Sequence, residues 1–285
     1  MLKTMTQLPA ALVDSSWLAA NLEAEDVVVV DCRWYLDGRS GEAAYDAGHI
    51  PWAVWVDLDR DLAGSADVGP GRHPLPSPEH FAAAMSNLGI GDETVVVAYD
   101  DSMGSIAARL WWMLTITGHR CAVLDGGISA WTGALSNQLS SEIAPGEFRP
   151  VPWPMSAVID VVGVDTLRRS NGALILDARS SDRFNGDENP IDTRFGHIPG
   201  AVSAPWTGNV DRSTGMLKTA GELRERFRSL GASATTSIVS HCGSGVTACH
   251  NLLALEIAGF RSTRLYPGSW SDWERDPERP IATVP

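Results

Sequence analysis

The chain has 285 residues, of which 44% are hydrophobic and 20% charged, and it carries a formal net charge of −13. That length spans about two ordinary domains, and the composition is that of a globular chain, not a disordered or fibrous one. The acidic balance, with no basic run, excludes a general nucleic-acid or anionic-membrane binder, because phosphate groups reward clustered Lys and Arg. No apolar stretch approaches the roughly 20 residues of a membrane span, and the N-terminal one stops at Asp14, too short for a secretory signal. The four cysteines, Cys32, Cys121, Cys242 and Cys249, are too few for a disulfide-stapled fold. The expected location is a reducing compartment, the cytoplasm.

In chain order, β-branched apolar runs alternate with helical patterns. Strands are predicted over 27–30, 94–98 and 121–124, continuous enough to be buried on both faces. Helices are predicted over 78–88, with Ser77 as cap and Pro78 at the first helical position, and over 107–117. The Ser- and Pro-rich stretch 136–154 lacks periodicity and reads as a linker. Beyond it come strands over 174–176, 237–240 and 262–265 and helices over 222–230 and 245–258. Strand–helix alternation of this kind implies an α/β fold with parallel sheets flanked by helices, and ligands at the carboxyl ends of the strands.

The chain also repeats itself. Asp-x-Arg occurs at Asp31 and Asp177, and Gly-His-Ile-Pro at Gly48 and Gly196, 146 and 148 residues apart. TVVVAYDDS (94–102) parallels TSIVSHCGS (236–244), and VLDGGISAW (123–131) parallels RLYPGSWSDW (264–273). Four landmarks in one order define a tandem duplication, with a period too long for a solenoid unit. The expected organisation is a first domain over 1–137, a linker over 138–155 and a second domain over 156–285.

The segment SIVSHCGSGVTACHNLLALEIAG (237–259) carries the chemistry. It sets the thiol of Cys242 at a strand-to-helix turn, where unpaired amides favour a thiolate. Gly243 and Gly245 permit the backbone to bend so that successive N–H groups converge on one anion. The bland alternative is a small buried residue at a strand end, for which flanking glycines have no purpose. A cysteine phosphatase needs an Arg six residues after the nucleophile to grip phosphate, and Ala248 stands there. His241, Cys242, Cys249 and His250 have poor spacing for a metal site, so no metal is expected. Sulfur transfer through a persulfide fits a small neutral loop rich in donors. In the first copy Asp100 or Asp101 stands where the second has Cys242, so that copy is expected to be catalytically silent. Cys32 and Cys121 fall in apolar runs and read as core.

HCGSGVTACH (241–250), the two GHIP elements, WYL (34–36), LWWM (110–113) and GSWSDWERDPERP (268–280) together resemble the rhodanese superfamily over nearly the whole chain. The match is closest to the tandem-domain 3-mercaptopyruvate sulfurtransferases. Two-domain thiosulfate sulfurtransferases carry Arg and Lys directly after the cysteine, where this chain has Gly243 and Ser244.

The resemblance implies two rhodanese-like domains and an enzyme that moves sulfur from a small-molecule donor to a thiol acceptor such as thioredoxin, or to cyanide, with no cofactor. It implies a Ser–His–Asp arrangement of Ser244, His73 and Asp59 beside Cys242, drawn from both domains. Arg183 matches the element that binds the donor carboxylate, and Arg194 is carried as a second candidate. Gly243, Gly245, Val246 and Thr247 form the substrate-binding loop. Arg179, echoing Arg33, and the duplicated His49 and His197 read as structural, and Trp270 and Trp273 as packing. The competing readings are a thiosulfate:cyanide sulfurtransferase and a non-catalytic persulfide carrier or sensor.

Overall fold

The computed structural model describes residues 5–138, 143–170 and 172–284. The chain divides into two compact units. The first comprises Met1–Ala63, Pro76–Trp153 and Thr214–Met216, and the second Gly64–Leu75, Pro154–Ser213 and Leu217–Pro285.

The first unit runs β1 (Leu12–Val13), α1 (Ser15–Asn21), β2 (Val27–Asp31), α2 (Gly41–Ala47), β3 (Val54–Trp55), α3 (Leu58–Asp61), α4 (Pro78–Asn87), β4 (Val95–Tyr99), α5 (Ala107–Ile116) and β5 (Arg120–Leu124). Its sheet has the order β1-β5-β4-β2-β3 with every pair parallel. The second unit runs α6 (Val161–Leu167), β6 (Ala173–Asp177), α7 (Ser181–Asn185), β7 (Ala201–Ser203), α8 (Ala220–Ser229), β8 (Ser237–His241), α9 (Ala248–Ile257), β9 (Thr263–Leu265) and α10 (Ser269–Trp273). Its parallel sheet is ordered β7-β6-β8-β9, and a parallel bridge from Val158 to Leu265 extends the β9 edge as β1 extends β5.

The duplication read from the sequence is therefore a duplication of topology and of register. Asp31 lies opposite Tyr99 as Asp177 lies opposite His241, so Asp100 and Cys242 are equivalent positions. The central strands carry unbroken apolar runs because both faces of each sheet are covered: β4 is buried at every residue. α5 and α9 are buried around nearly their whole circumference, which is why neither has a polar stripe. Around the second sheet Ile159, Val164, Ile175, Val239, Tyr266, Trp270 and Trp273 form one apolar cluster. Trp270 and Trp273 are core residues there, both fully buried.

The repeated motifs have repeated physical roles. In each unit the Asp-x-Arg pair is a buried forked ion pair, Arg33 on Asp31 and Arg179 on Asp177. The same guanidinium reaches the carbonyl of the glycine in GHIP, Gly48 at 2.8 Å and Gly196 at 2.7 Å. The histidine that follows stacks on an aromatic ring, His49 on Tyr45 and His197 on Phe184, and bonds that residue's carbonyl. Breaking one partner of so buried a pair costs about 3–5 kcal/mol, since the other charge is left without compensation.

Two stretches differ from the sequence reading. Of the expected linker, residues 139–142 lie outside the described residues. Residues 143–153 pack on the first unit, with Phe148 stacked on His119 and edge-on to Phe81, and the Trp153 indole bonded to the Pro76 carbonyl. A Ser- and Pro-rich composition marks lack of periodicity, not lack of anchoring side chains. The helix predicted over 245–258 begins at Ala248, because the preceding residues form the loop described next.

Candidate active site

β8 ends at His241, and residues 242–247 form a loop before α9. Cys242 is only 2% exposed, yet its surroundings are polar. The Gly245 N–H donates to its Sγ over 3.2 Å. Among the described residues, no acceptor is assigned to the N–H groups of Gly243, Ser244, Val246 or Thr247. The loop is fixed from outside: the Cys242 N–H donates to Ser269 Oγ, and the Cys242 and Gly243 carbonyls accept from the Trp270 and Ser271 N–H groups at the start of α10. Gly245 has φ +81°, and a Cβ there would meet the Pro267 carbonyl oxygen at 2.5 Å, so the turn that aims its N–H at the sulfur requires glycine.

The first unit shows the same cradle with an occupant. The Asp100 carboxylate is fully buried and accepts N–H bonds from Ser102, Gly104, Ile106 and Ala107, all at 2.8–2.9 Å. Burial pushes its pKa up, against those four amides that pull it down. The loop between β4 and α5 is thus an anion cradle closed by its own side chain, and it has no thiol to carry sulfur.

Beside Cys242, His73 Nδ1 lies 2.7 Å from Ser244 Oγ, and both residues are buried. His73 belongs to the second unit through the segment Gly64–Leu75. Asp59 belongs to the first unit, exposed on α3, where its carboxylate accepts from the Trp34 indole at 2.8 Å. Its neighbour Asp57 is the helix cap.

The arginines divide differently from the sequence reading. Arg183 on α7 forks onto Asp192, and its guanidinium also approaches Gly243, with Nη2 3.0 Å from where a Cβ would stand. Arg194 does not join it. Its guanidinium donates to the carbonyls of Asp276 and Arg279, holding the C-terminal segment. The second cation at Gly243 is Arg72, whose Nη2 is 2.9 Å from the same Cβ position. Sequence reasoning missed it because it stands in a loop without periodicity, although it directly precedes His73. A side chain at position 243 would press on both guanidiniums and displace their tips.

His241 is buried, with Nε2 3.8 Å from Asp177 Oδ2, and burial pushes its pKa down. Cys249 is fully buried, its Sγ on the Gly245 carbonyl, and Cys32 and Cys121 are core thiols that burial pushes well above the usual range.

A doubled parallel α/β unit in which one strand-to-helix loop cradles a cysteine sulfur defines the class, and the chain belongs to the family of rhodanese-like domains, whose description matches residues 14–134 and 164–276. Members of this class with two such domains include sulfurtransferase enzymes that are similar to this chain along almost its whole length. A Pseudomonas aeruginosa protein named "Probable 3-mercaptopyruvate sulfurtransferase" is 44% identical over 96% of this chain and 98% of its own. "Thiosulfate/3-mercaptopyruvate sulfurtransferase 1, mitochondrial" of Arabidopsis thaliana is 33% identical over 98% of this chain and 79% of its own. The crystal structure of SseA, a 3-mercaptopyruvate sulfurtransferase of Escherichia coli, superposes with a TM-score of 0.81 at 36% identity, covering 92% of this chain and 99% of that one.

Proposed function

We propose that the chain is a 3-mercaptopyruvate sulfurtransferase working through a persulfide on Cys242. The observation that carries this reading is the pairing of an amide cradle at Cys242 Sγ with two guanidiniums over Gly243. The cradle lowers the energy of a negative sulfur, as Asp100 supports by holding a carboxylate in the equivalent loop. The Cys242 thiolate attacks the donor sulfur. The donor C–S bond breaks, its electron pair passes to the pyruvate enolate, and the enolate carbon takes a proton. The donor's S–H proton leaves through Ser244 and His73, hydrogen-bonded at 2.7 Å. Net, thiolate plus mercaptopyruvate gives Cys242 persulfide plus pyruvate. A thiol acceptor then takes the outer sulfur as its own persulfide and regenerates the thiolate. A dithiol protein such as thioredoxin suits that step, and a nucleophilic thiol suits a reducing cytoplasm.

Thiosulfate is the second donor to be tested, since the names of three relatives include it. The two guanidiniums at Gly243 support mercaptopyruvate instead, because together they suit a carboxylate beside the reacting sulfur. The test incubates the protein with each donor separately and follows pyruvate, sulfite and the mass of the Cys242 peptide. Pyruvate release with one sulfur gained at Cys242 is the expected result. Cys242→Ser is expected to lose turnover by roughly 10³-fold or more. Wild-type turnover in that variant would sink the assignment, and a stable persulfide with negligible turnover on every donor would favour a carrier.

A further inference from the structure

Arg72 is built into the site from several directions. Its backbone N–H donates to Ser271 Oγ at 3.0 Å and its Nη1 to the Ile191 carbonyl at 3.0 Å. The loop that carries it, Gly64–Leu75, closes on itself through the Gly64 N–H and the Pro74 carbonyl. Arg275 clasps the loop by donating to the carbonyls of Ala66, Gly69 and Gly71. A half-buried guanidinium is thereby held against Gly243 beside a second one, an unfavourable juxtaposition that burial and Arg183 both register by pushing its pKa down.

The neighbouring carboxylates Asp192 and Glu274 relieve it only in part. Arg183 is matched by Asp192, and Arg179 by Asp177 with a further contact to Asp192 at 3.4 Å. Among the described residues, no carboxylate lies within ion-pairing distance of Arg72. The site therefore holds a fixed positive charge with no ion-pair contact of its own. It lies over the residue next to the sulfur, near enough for Cys242 to act on its charge. A ligand that satisfies both positions carries its negative group a few ångströms from its reactive sulfur. A carboxylate two carbons from a thiol does so. In thiosulfate the charged oxygens sit on the atom bonded directly to the transferred sulfur.

We infer that Arg72 is a donor-specificity residue, which together with Arg183 grips the carboxylate of a 2-oxo-3-thiol acid and so selects it over donors whose charge lies at the sulfur. This rests on the reading of Cys242 as the sulfur-accepting residue. The test compares Arg72→Met and Arg72→Lys with the wild type, on mercaptopyruvate and on thiosulfate, with discharge of the preformed Cys242 persulfide to dithiothreitol measured separately. Arg72→Met is expected to lower kcat/KM for mercaptopyruvate by roughly 10- to 100-fold, mostly through KM, the loss of one charge-assisted contact. The loss for thiosulfate is expected to be smaller than about threefold, and discharge unchanged. Arg72→Lys, which keeps charge without the fork, is expected to recover part of the loss. Should Arg72→Met fail to fold, Arg72→Gln takes its place, with the competitive inhibition constant of a thiol-free 2-oxo acid as a second measure.

Mercaptopyruvate kcat/KM within threefold of wild type in the folded variant would overturn the inference. So would equal losses for both donors and for discharge, which report a general disturbance of the loop. Failure of the wild type itself to release pyruvate would instead overturn the proposed reaction.

Discussion

Ser244 and His73 share a hydrogen bond of 2.7 Å in a buried setting, and in the proposed reaction that pair is the route by which a proton leaves the donor. Imidazole is the side chain suited to accept it near neutral pH. Ser244→Ala and His73→Gln are each expected to lower kcat for mercaptopyruvate by roughly 10²-fold, with formation of the Cys242 persulfide slowed in single turnover and its discharge spared. Equal slowing of both half-reactions would show that the pair holds the loop instead of moving the proton. At this scale the sequence was legible where motifs are contiguous. Cys242, Ser244 and the glycines stand in one run, and Arg183 sits in a recognisable element. Arg72 and Arg194 were not, because which arginine faces Gly243 depends on loops that carry no period. Arg194 is diverted to the Asp276 and Arg279 carbonyls, and Arg72 is brought in by ties to Ile191 and Ser271.

The loop joining strand to helix is the element to which the proposed chemistry belongs, and the chain contains two versions of it. In the second unit a cysteine follows the strand, and its sulfur accepts from the Gly245 N–H. In the first, Asp100 closes the loop's amides with a carboxylate. Its role is to hold the loop in shape where no ligand arrives. Asp100→Asn places an NH₂ among backbone donors and is expected to destabilise the first unit by about 2–4 kcal/mol. Below its melting temperature, the variant is expected to keep mercaptopyruvate turnover within about twofold. Unchanged stability by calorimetry would contradict the cradle reading. The existence of both loops was visible in the repeat. Their common geometry was not, since an aspartate and a cysteine look unrelated until the strand register places Asp31 against Tyr99 and Asp177 against His241.

For the molecule as a whole, each unit buries a histidine that burial holds below its ordinary pKa, His119 in the first and His241 in the second. The unfolded chain binds protons at these sites near pH 6.5, and the folded chain only at lower pH. Stability is therefore expected to rise with pH across that window and to be lost as pH falls below about 6.5, by at most about 1.4 kcal/mol per pH unit for each histidine. Carboxylates held below the usual range by their partners, Asp177 by His241 and Arg179 and Asp165 by Arg168, add a further loss below about pH 4. Denaturation midpoints between pH 7.5 and 5 check this. His241→Asn should flatten the slope of the second unit, and an unchanged slope would show that His241 does not govern it.

The sequence alone determined the architecture and marked the candidate centre: two copies of a parallel α/β unit, one cysteine-bearing loop, and an acidic chain of globular composition. These properties are local or periodic. Apolar runs specify buried strands, landmark spacing specifies duplication, and a Cys-Gly-Ser-Gly turn specifies a thiol among amides. The tertiary structure decided what no period records. It assigned Gly64–Leu75 to the second unit, joined His73 to Ser244, exchanged Arg194 for Arg72 at Gly243, and anchored residues 143–153. Each of these is a meeting of segments far apart in the chain. Single hydrogen bonds and steric contacts fix such meetings, and these exist only once the backbone is folded.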